Sequence, residues 1–277
     1  MTAVASYLQA RSHNGQWLIR IEDIDPERDS KTSITSILQT LQDYGFVFDA
    51  RPILQSRHTN LHKHLALQLL SRDQAYACHC SRKEIALHAK PGEMGLIYPG
   101  YCSDKTLGFK HGTALRVRTD NTIIHFADKN FGEQRCNLKQ ESGDYVIYRA
   151  DNLPSYILAA SVDDLFEHYT EVVRGSDLLT LTPRQIHLSL LLKNRFPEFL
   201  HVPIITHENG EKLSKQTHAP EIKKQHARKW LCHALTDLGQ EPPRNLHYRP
   251  LSRIWEWAIE HWCTDNIPTL KTIPLKY

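Results

Sequence analysis

Trp17-Leu18-Ile19-Arg20-Ile21-Glu22-Asp23-Ile24-Asp25 is the stretch from which the fold is read. Side chains alternate between the two faces of a strand, so residues 17–23 put Leu18, Arg20 and Glu22 on one face and Trp17, Ile19 and Ile21 on the other. The second face is wholly apolar and suits a core. The first carries two charges toward the carboxyl end of a strand, where open α/β sheets gather ligand groups. Asp23, Asp25 and Pro26 end the run. Ahead of it, residues 2–13 read as a short helix with Val4, Tyr7 and Leu8 on one side, closed by Asn14-Gly15. Behind it, Ile34, Ile37, Leu38 and Leu41 recur at i, i+3, i+4 and i+7, which predicts a helix with a clear apolar face ended by Gly45.

The alternation of strand and helix continues along the chain and indicates an α/β fold. Leu61, Leu65 and Leu69 mark another helix. Residues 76–80, 114–118, 123–126, 145–149, 171–174 and 202–206 have the composition of strands, and residues 182–192 that of a helix. Periodicity leaves residues 156–162 open between helix and buried strand. Residues 90–112 shift to Gly, Pro and Tyr, the composition of an irregular insertion held by something other than a core. Past Pro220 the chain is helical and rich in tryptophan (Trp230, Trp255, Trp257, Trp262), and it ends in an unpatterned tail.

At 277 residues, with 40% hydrophobic and 23% charged side chains, the chain has the composition of a globular protein with a sizeable core. No apolar run approaches the ~18–20 residues needed to cross a bilayer, and residues 1–15 lack a secretory pattern, so a cytoplasmic protein without membrane contact is expected. The net charge of +3 permits contact with a polyanion without requiring it. Of the six cysteines, Cys78, Cys80 and Cys102 cluster, which in a reducing compartment suggests metal before disulfide. Three thiolates leave one tetrahedral position; on spacing, His79 or His88 could fill it.

Lys212-Leu213-Ser214-Lys215-Gln216 follows an Asn209-Gly210 turn. Two lysines three apart on a loop can both reach a triphosphate, and Lys215 would neutralise charge developing between the α-phosphorus and departing pyrophosphate. This pentad resembles the second nucleotide-binding motif of the class I aminoacyl-tRNA synthetases. Residues 18–25, Gln55-Ser56, Val173-Arg174-Gly175-Ser176-Asp177 and His201-Val202-Pro203 resemble, in order, the glutamyl branch of that class. Cys78-x-Cys80 followed by Tyr98-x-x-x-Cys102 is similar to the zinc site of the glutamyl-queuosine tRNA(Asp) synthetases, short relatives of glutamyl-tRNA synthetase. Only 61 residues follow Gln216, too few for a separate anticodon-reading region.

The resemblance implies a Rossmann-like catalytic domain over residues 1–220, a zinc-bearing insertion at about 76–112, and a short helical region over 221–277. It implies activation of glutamate by ATP and Mg²⁺ without tRNA, then transfer of the glutamyl group to queuosine at the wobble position of tRNA(Asp), by a monomer. The glutamate-binding residues would be Glu22, Tyr156 and Arg174, the ATP-binding residues Lys212, Ser214 and Lys215 with Lys215 catalytic, and the structural zinc ligands Cys78, Cys80, Tyr98 and Cys102. His201 would lie at the start of a strand near the nucleotide loop. Each has a plainer alternative: a salt bridge of Glu22 with Arg20 or Arg28, a surface Arg174, a core Tyr156, a solvated lysine loop, three buried thiols. The resemblance also implies an opening strand and a histidine-glycine phosphate loop that are absent here. A truncated sheet of order 3-2-1-4-5, split into two half-sheets, is therefore expected. A catalytically impaired tRNA-associated protein and a stand-alone glutamyl-tRNA synthetase are the competing functions.

Overall fold

The computed structural model describes residues 1–24, 31–211, 213 and 222–275. The first helix, α1 (Thr2–Ser12), buries Val4, Ala5, Tyr7 and Leu8 as its spacing predicts, and Asn14 turns the chain in the left-handed region at φ 54°. The strand expected over residues 17–23 is much shorter. Its ladder, β1 (Arg20–Ile21), ends where its parallel partner ends. Next come α2 (Lys31–Asp43), β2 (Ile53–Leu54), α3 (Thr59–Ser71) and β3 (Ala75–Cys78). The apolar face read into α2 is only partly covered: Ile37 is 46% exposed, Ile34 and Leu38 are half-buried, and Leu41 packs against the core.

The insertion holds a short helix, α4 (Arg82–Ala86), and a minimal hairpin, β4 (Pro91–Gly92) with β5 (Gly95–Leu96). Then follow β6 (Ala114–Val117), β7 (Ile123–Asp128), β8 (Gly132–Asn137), α5 (Leu138–Glu141) and β9 (Val146–Tyr148). Strand β8 escaped the sequence reading because its residues, Gly-Glu-Gln-Arg-Cys-Asn, are mostly polar; it forms by antiparallel pairing with β7 across a tight turn. Residues 156–166 resolve as a helix, α6 (Tyr156–Phe166), whose Ser155 accepts from the Leu158 N–H and caps it. The rest comprises β10 (Glu171–Gly175), α7 (Thr182–Lys193), β11 (Glu198–Val202), β12 (Ile204–Thr206), α8 (Ala227–Asp237), α9 (Leu251–Glu260) and β13 (Thr272–Pro274). The tail read as unpatterned therefore ends in a strand, β13, laid parallel to β12.

Apart from the β12–β13 pair, the parallel strands fall into two separate groups. β1 pairs with β2, while β10 pairs with β11 and, through one register position, with β7 and its partner β8. No ladder joins β1 to β10 among the described residues. A third, antiparallel sheet runs β3-β6-β9 and packs with α3, α6 and α7 around a core of Leu69, Leu115, Ile147 and Leu158.

A second core unites the two ends of the chain. Tyr7, Trp17, Phe46 and Trp255 meet with ring centroids 4.8–5.2 Å apart. Trp255 also donates from Nε1 to the Tyr44 carbonyl at 2.9 Å. The helices past residue 220 thus share their core with α1 and with Leu200 and Val202 of β11. Among the described residues no helix is long and apolar enough to cross a membrane.

Truncating an almost fully buried tryptophan typically costs ~3–5 kcal/mol. Trp255→Ala is expected to lower the unfolding free energy by about that much in urea, and to loosen α1 together with α9, seen as joint loss of amide protection in both helices.

Candidate active site

A cavity of about 540 Å³ opens between the β1 and β10 segments. Leu18, Arg20 and Glu22 line it from one side, Val173 and Arg174 from the other, and Tyr156 and Asp164 of α6 lie along its wall. The alternation read from residues 17–23 holds at this point: the face carrying Arg20 and Glu22 is the one that meets the cavity. The volume falls within the range of small-molecule sites, ~300–1,000 Å³.

Arg174 is 7% exposed. Its Nε donates to His201 Nε2 at 3.0 Å and its Nη2 to Thr182 Oγ1 at 2.8 Å. The alternative of a plain surface arginine is excluded. With Nε and Nη2 committed inward, the Nη1 edge is the one without a partner among the described residues, and Arg174 lines the cavity. Gly175 follows at a crowded point: a Cβ there would sit 2.5 Å from Asp177 Oδ1 and 2.8 Å from Ile204 Cγ2 and would force those side chains to shift.

The Glu22 side chain is 44% exposed and reaches Arg20 Nη2 only at 3.9 Å, so an Arg20–Glu22 ion pair does not account for it. Burial pushes the Glu22 carboxyl above the ordinary range; Arg20 and Arg174 oppose that and Asp164 adds to it. Tyr156 opens α6, and burial together with Glu22 pushes its phenol up, so the hydroxyl keeps its proton and can donate. Glu22, Tyr156 and Arg174 thus share one cavity and one electrostatic environment, although 152 positions separate the first from the last.

Arg20 turns away from Glu22 toward α6. Its Nη1 donates to Asp164 Oδ1 at 2.7 Å, and Asp163 Oδ2 lies 3.7 Å from its Nε. Asp163, fully buried, accepts from Gln55 Nε2 at 2.7 Å and meets His62 Nε2 at 2.7 Å and His58 Nδ1 at 3.0 Å. Burial raises both carboxyls, but His62 and Gln55 outweigh it at Asp163, whose pKa falls, whereas Asp164 stays above its ordinary value. This network supports the cavity floor from behind. Of its members, sequence reasoning noted Arg20 and Gln55 but gave no role to His58, His62, Asp163 or Asp164, whose one signal was a pair of acids inside an apolar run.

The three clustered cysteines come together as expected. Cys78 Sγ and Cys80 Sγ each lie 3.4 Å from the Tyr98 hydroxyl, and Cys80 Sγ lies 3.5 Å from Cys102 Sγ. His79 and His88 are exposed and stand outside the cluster. The Cys102 N–H donates to the Tyr98 oxygen at 3.1 Å, and Arg116 Nε donates to Cys78 Sγ at 3.3 Å. Burial pushes the Cys78 thiol up, but hydrogen bonds from Tyr98 and Arg116 outweigh it and hold the thiol below its ordinary range. Gly143 makes room for Tyr98: at φ 63°, a Cβ there would fall 2.8 Å from the Tyr98 carbonyl oxygen.

Lys212, Ser214 and Lys215 lie outside the described residues. Leu213, between them, bonds its N–H to the Ile205 carbonyl at 3.0 Å, extending the turn at Gly210. His201 is not at a strand start; it is the fourth of five residues in β11, and its side chain backs Arg174.

The family of tRNA synthetases class I (E and Q), catalytic domain, matches residues 1–236. The glutamyl-Q tRNA(Asp) synthetase of Chromobacterium violaceum is 41% identical over 267 residues, covering 96% of this chain and 89% of the relative. That of Pseudomonas aeruginosa PAO1 is 40% identical over 274 residues, covering 99% and 91%. The chain belongs to the glutamyl-Q tRNA(Asp) synthetase family, within class I. Its fold is also that of the glutamate-tRNA synthetase from Elizabethkingia anophelis, with a TM-score of 0.76 at 20% identity. The match covers 99% of this chain and 64% of that longer one.

Within that family fold, Arg20 and Asp164 form a buried pair, and breaking such a pair from one side costs ~3–5 kcal/mol. Asp164→Ala is expected to destabilise the protein by about 3 kcal/mol in urea unfolding. Asp43→Ala, which removes an exposed pair with Lys224, should leave the midpoint almost unmoved.

Proposed function

We propose that this chain joins glutamate to ATP without requiring tRNA for that step, then passes the glutamyl group to queuosine in the anticodon of tRNA(Asp). One observation carries the reading: Glu22, Tyr156 and Arg174 line a single cavity in a class I synthetase catalytic fold. Names of relatives about 40% identical over nearly the whole chain support the acceptor.

In this reading Glu22 accepts the substrate's ammonium, while the Nη1 edge of Arg174 and the Tyr156 hydroxyl bind a glutamate carboxylate. Guanidinium suits this task because its planar fork matches a carboxylate and never loses its charge. The α-carboxylate attacks the α-phosphorus of ATP, pyrophosphate leaves, and a glutamyl adenylate forms. A hydroxyl of the queuosine cyclopentenediol then attacks the carbonyl and AMP departs. Lys212, Ser214 and Lys215 are assigned to the phosphates, Lys215 facing the charge that develops as pyrophosphate leaves; Mg²⁺ would share that neutralisation.

Zinc is assigned to Cys78, Cys80, Tyr98 and Cys102. The separations of 3.4–3.5 Å between their donor atoms approach the edges, ~3.3–3.8 Å, of a tetrahedron with zinc–ligand bonds of ~2.0–2.3 Å. The ion would hold together an insertion whose own buried cluster is small: Tyr76, Cys78, Ile85, Tyr98 and Cys102. Structural zinc can supply ~10–16 kcal/mol to such a segment.

The deciding assay is glutamate-dependent ATP–pyrophosphate exchange in the absence of tRNA, followed by transfer of labelled glutamate to tRNA(Asp) with and without queuosine. Exchange, and labelling of the modified tRNA alone, are expected. Arg174→Ala should lower kcat/KM for glutamate about a hundredfold, since unpairing a desolvated charge contact costs ~2–5 kcal/mol. No exchange with any amino acid would contradict the reading.

Two further outcomes follow. Because the folded pKa of Glu22 is raised, this carboxylate takes up its proton earlier as pH falls than an ordinary glutamate does. On acidification glutamate affinity should therefore decline at a higher pH than an ordinary glutamate would give, and Glu22→Gln should remove both that slope and most of the affinity in calorimetric titration. One equivalent of zinc is expected by elemental analysis of the purified chain, and Cys102→Ala should lose it while the Tyr7–Trp255 aromatic core stays folded.

A further inference from the structure

We propose that His201 and Asp128 are positioning residues for glutamate recognition: together they aim Arg174 into the cavity, with His201 neutral and its proton on Nδ1. The proposal rests on the reading of Arg174 as the group that grips a glutamate carboxylate.

The protonation pattern follows from the partners. Arginine stays protonated in proteins, so Arg174 Nε carries hydrogen and donates. His201 Nε2, 3.0 Å away, must then present a lone pair. The single ring proton therefore sits on Nδ1, which donates to Asp128 Oδ2 at 2.6 Å. Asp128 is itself pinned, accepting the backbone N–H groups of His201 at 3.1 Å, Asn130 at 3.1 Å and Phe131 at 2.9 Å. The last two belong to the turn between β7 and β8. Thr182 completes the arrangement: its hydroxyl donates to the Leu178 carbonyl at 3.1 Å, leaving a lone pair for Arg174 Nη2.

A rigid backbone turn is thus connected through a carboxylate and an imidazole to the guanidinium at the cavity wall. His201 is fully buried and Asp128 nearly so, which leaves water little chance of replacing either. The charged and polar groups facing His201 are Asp128 from β7, Arg174 from β10, Thr182 from α7 and, farther off, Asp177 from the turn between β10 and α7. Burial pushes the imidazole pKa down; Asp128 opposes that shift and Arg174 adds to it. A second ring proton would oppose N–H to N–H across 3.0 Å and force Arg174 off its acceptor. A flipped tautomer would do the same. Since a carboxylate bonded to Nδ1 selects the tautomer of its histidine, Asp128 acts on Arg174 without touching it.

The full chain is titrated with glutamate, and separately with ATP, by calorimetry, using wild type, Arg174→Ala, His201→Phe, His201→Gln and Asp128→Asn. His201→Phe and Asp128→Asn should weaken glutamate binding about tenfold or more while leaving ATP affinity within about twofold. His201→Gln, whose amide oxygen can stand in for the Nε2 lone pair, should restore glutamate affinity to within about threefold of wild type. Wild-type glutamate affinity in folded His201→Phe, with Arg174→Ala still defective, overturns the positioning role alone. If Arg174→Ala binds as wild type does, or wild type does not bind glutamate, the assignment of the cavity falls and the positioning role falls with it.

Should His201→Phe fail to fold, the wild type decides the question. In ¹⁵N-labelled protein the Arg174 Nε–H should give an exchange-protected signal that is lost as His201 takes up its second proton in acid. A signal that persists through the His201 titration overturns the proposal.

Discussion

A guanidinium that cannot lose its charge sits 7% exposed at the end of β10, and the site is organised around satisfying it. Taking a charge out of water costs several kcal/mol per ion unless hydrogen bonds replace the hydration shell. Here the replacement comes from His201 on the neighbouring strand and Thr182 on the helix that follows. The parallel register that sets Arg174 opposite His201 brings the imidazole into range, and the turn over Ser176–Leu181 that follows β10 brings Thr182. Pairing β10 with β11 therefore does two jobs: it forms the sheet and it supplies the acceptor.

The opposite wall follows a related logic with the signs reversed. Asp163, Asp164 and Glu167 crowd one end of α6 beside Arg20 and two histidines, and the carboxyls do not behave alike: the pKa is lowered at Asp163 and raised at Asp164 and Glu167. Neighbouring acids are pushed apart by their surroundings, and Glu22 meets the cavity beside Asp164, which Arg20 holds. Arg20 serves the floor rather than the ligand, because its strongest partner is Asp164 and not Glu22.

Much of this was legible in the residues. Strand alternation placed Arg20 and Glu22 on one face, and the family resemblance of Val173-Arg174-Gly175 and of Cys78, Cys80, Tyr98 and Cys102 pointed to groups that the fold brings together, whereas spacing alone favoured His79 or His88, which stand outside the cluster. What escaped depended on tertiary pairing. Nothing local distinguishes β13 from a tail, because β12 makes it a strand. The i, i+4 pattern of α2 predicted burial, yet a stripe is buried only where a partner element covers it, and Ile37 has none that does so. Asp128 and Thr182 carry no sequence signal, since their role lies entirely in what they touch. Lys212, Ser214 and Lys215, outside the described residues, are assigned from the sequence.

The most direct measurement is a crystal structure of the chain soaked with glutamate at neutral pH. The account places the amino acid between β1 and β10, its ammonium within hydrogen-bonding distance of Glu22 and a carboxylate on the Nη1 edge of Arg174, with His201 unmoved behind it. Glutamate bound elsewhere on the molecule, with this cavity filled by water alone, would contradict it.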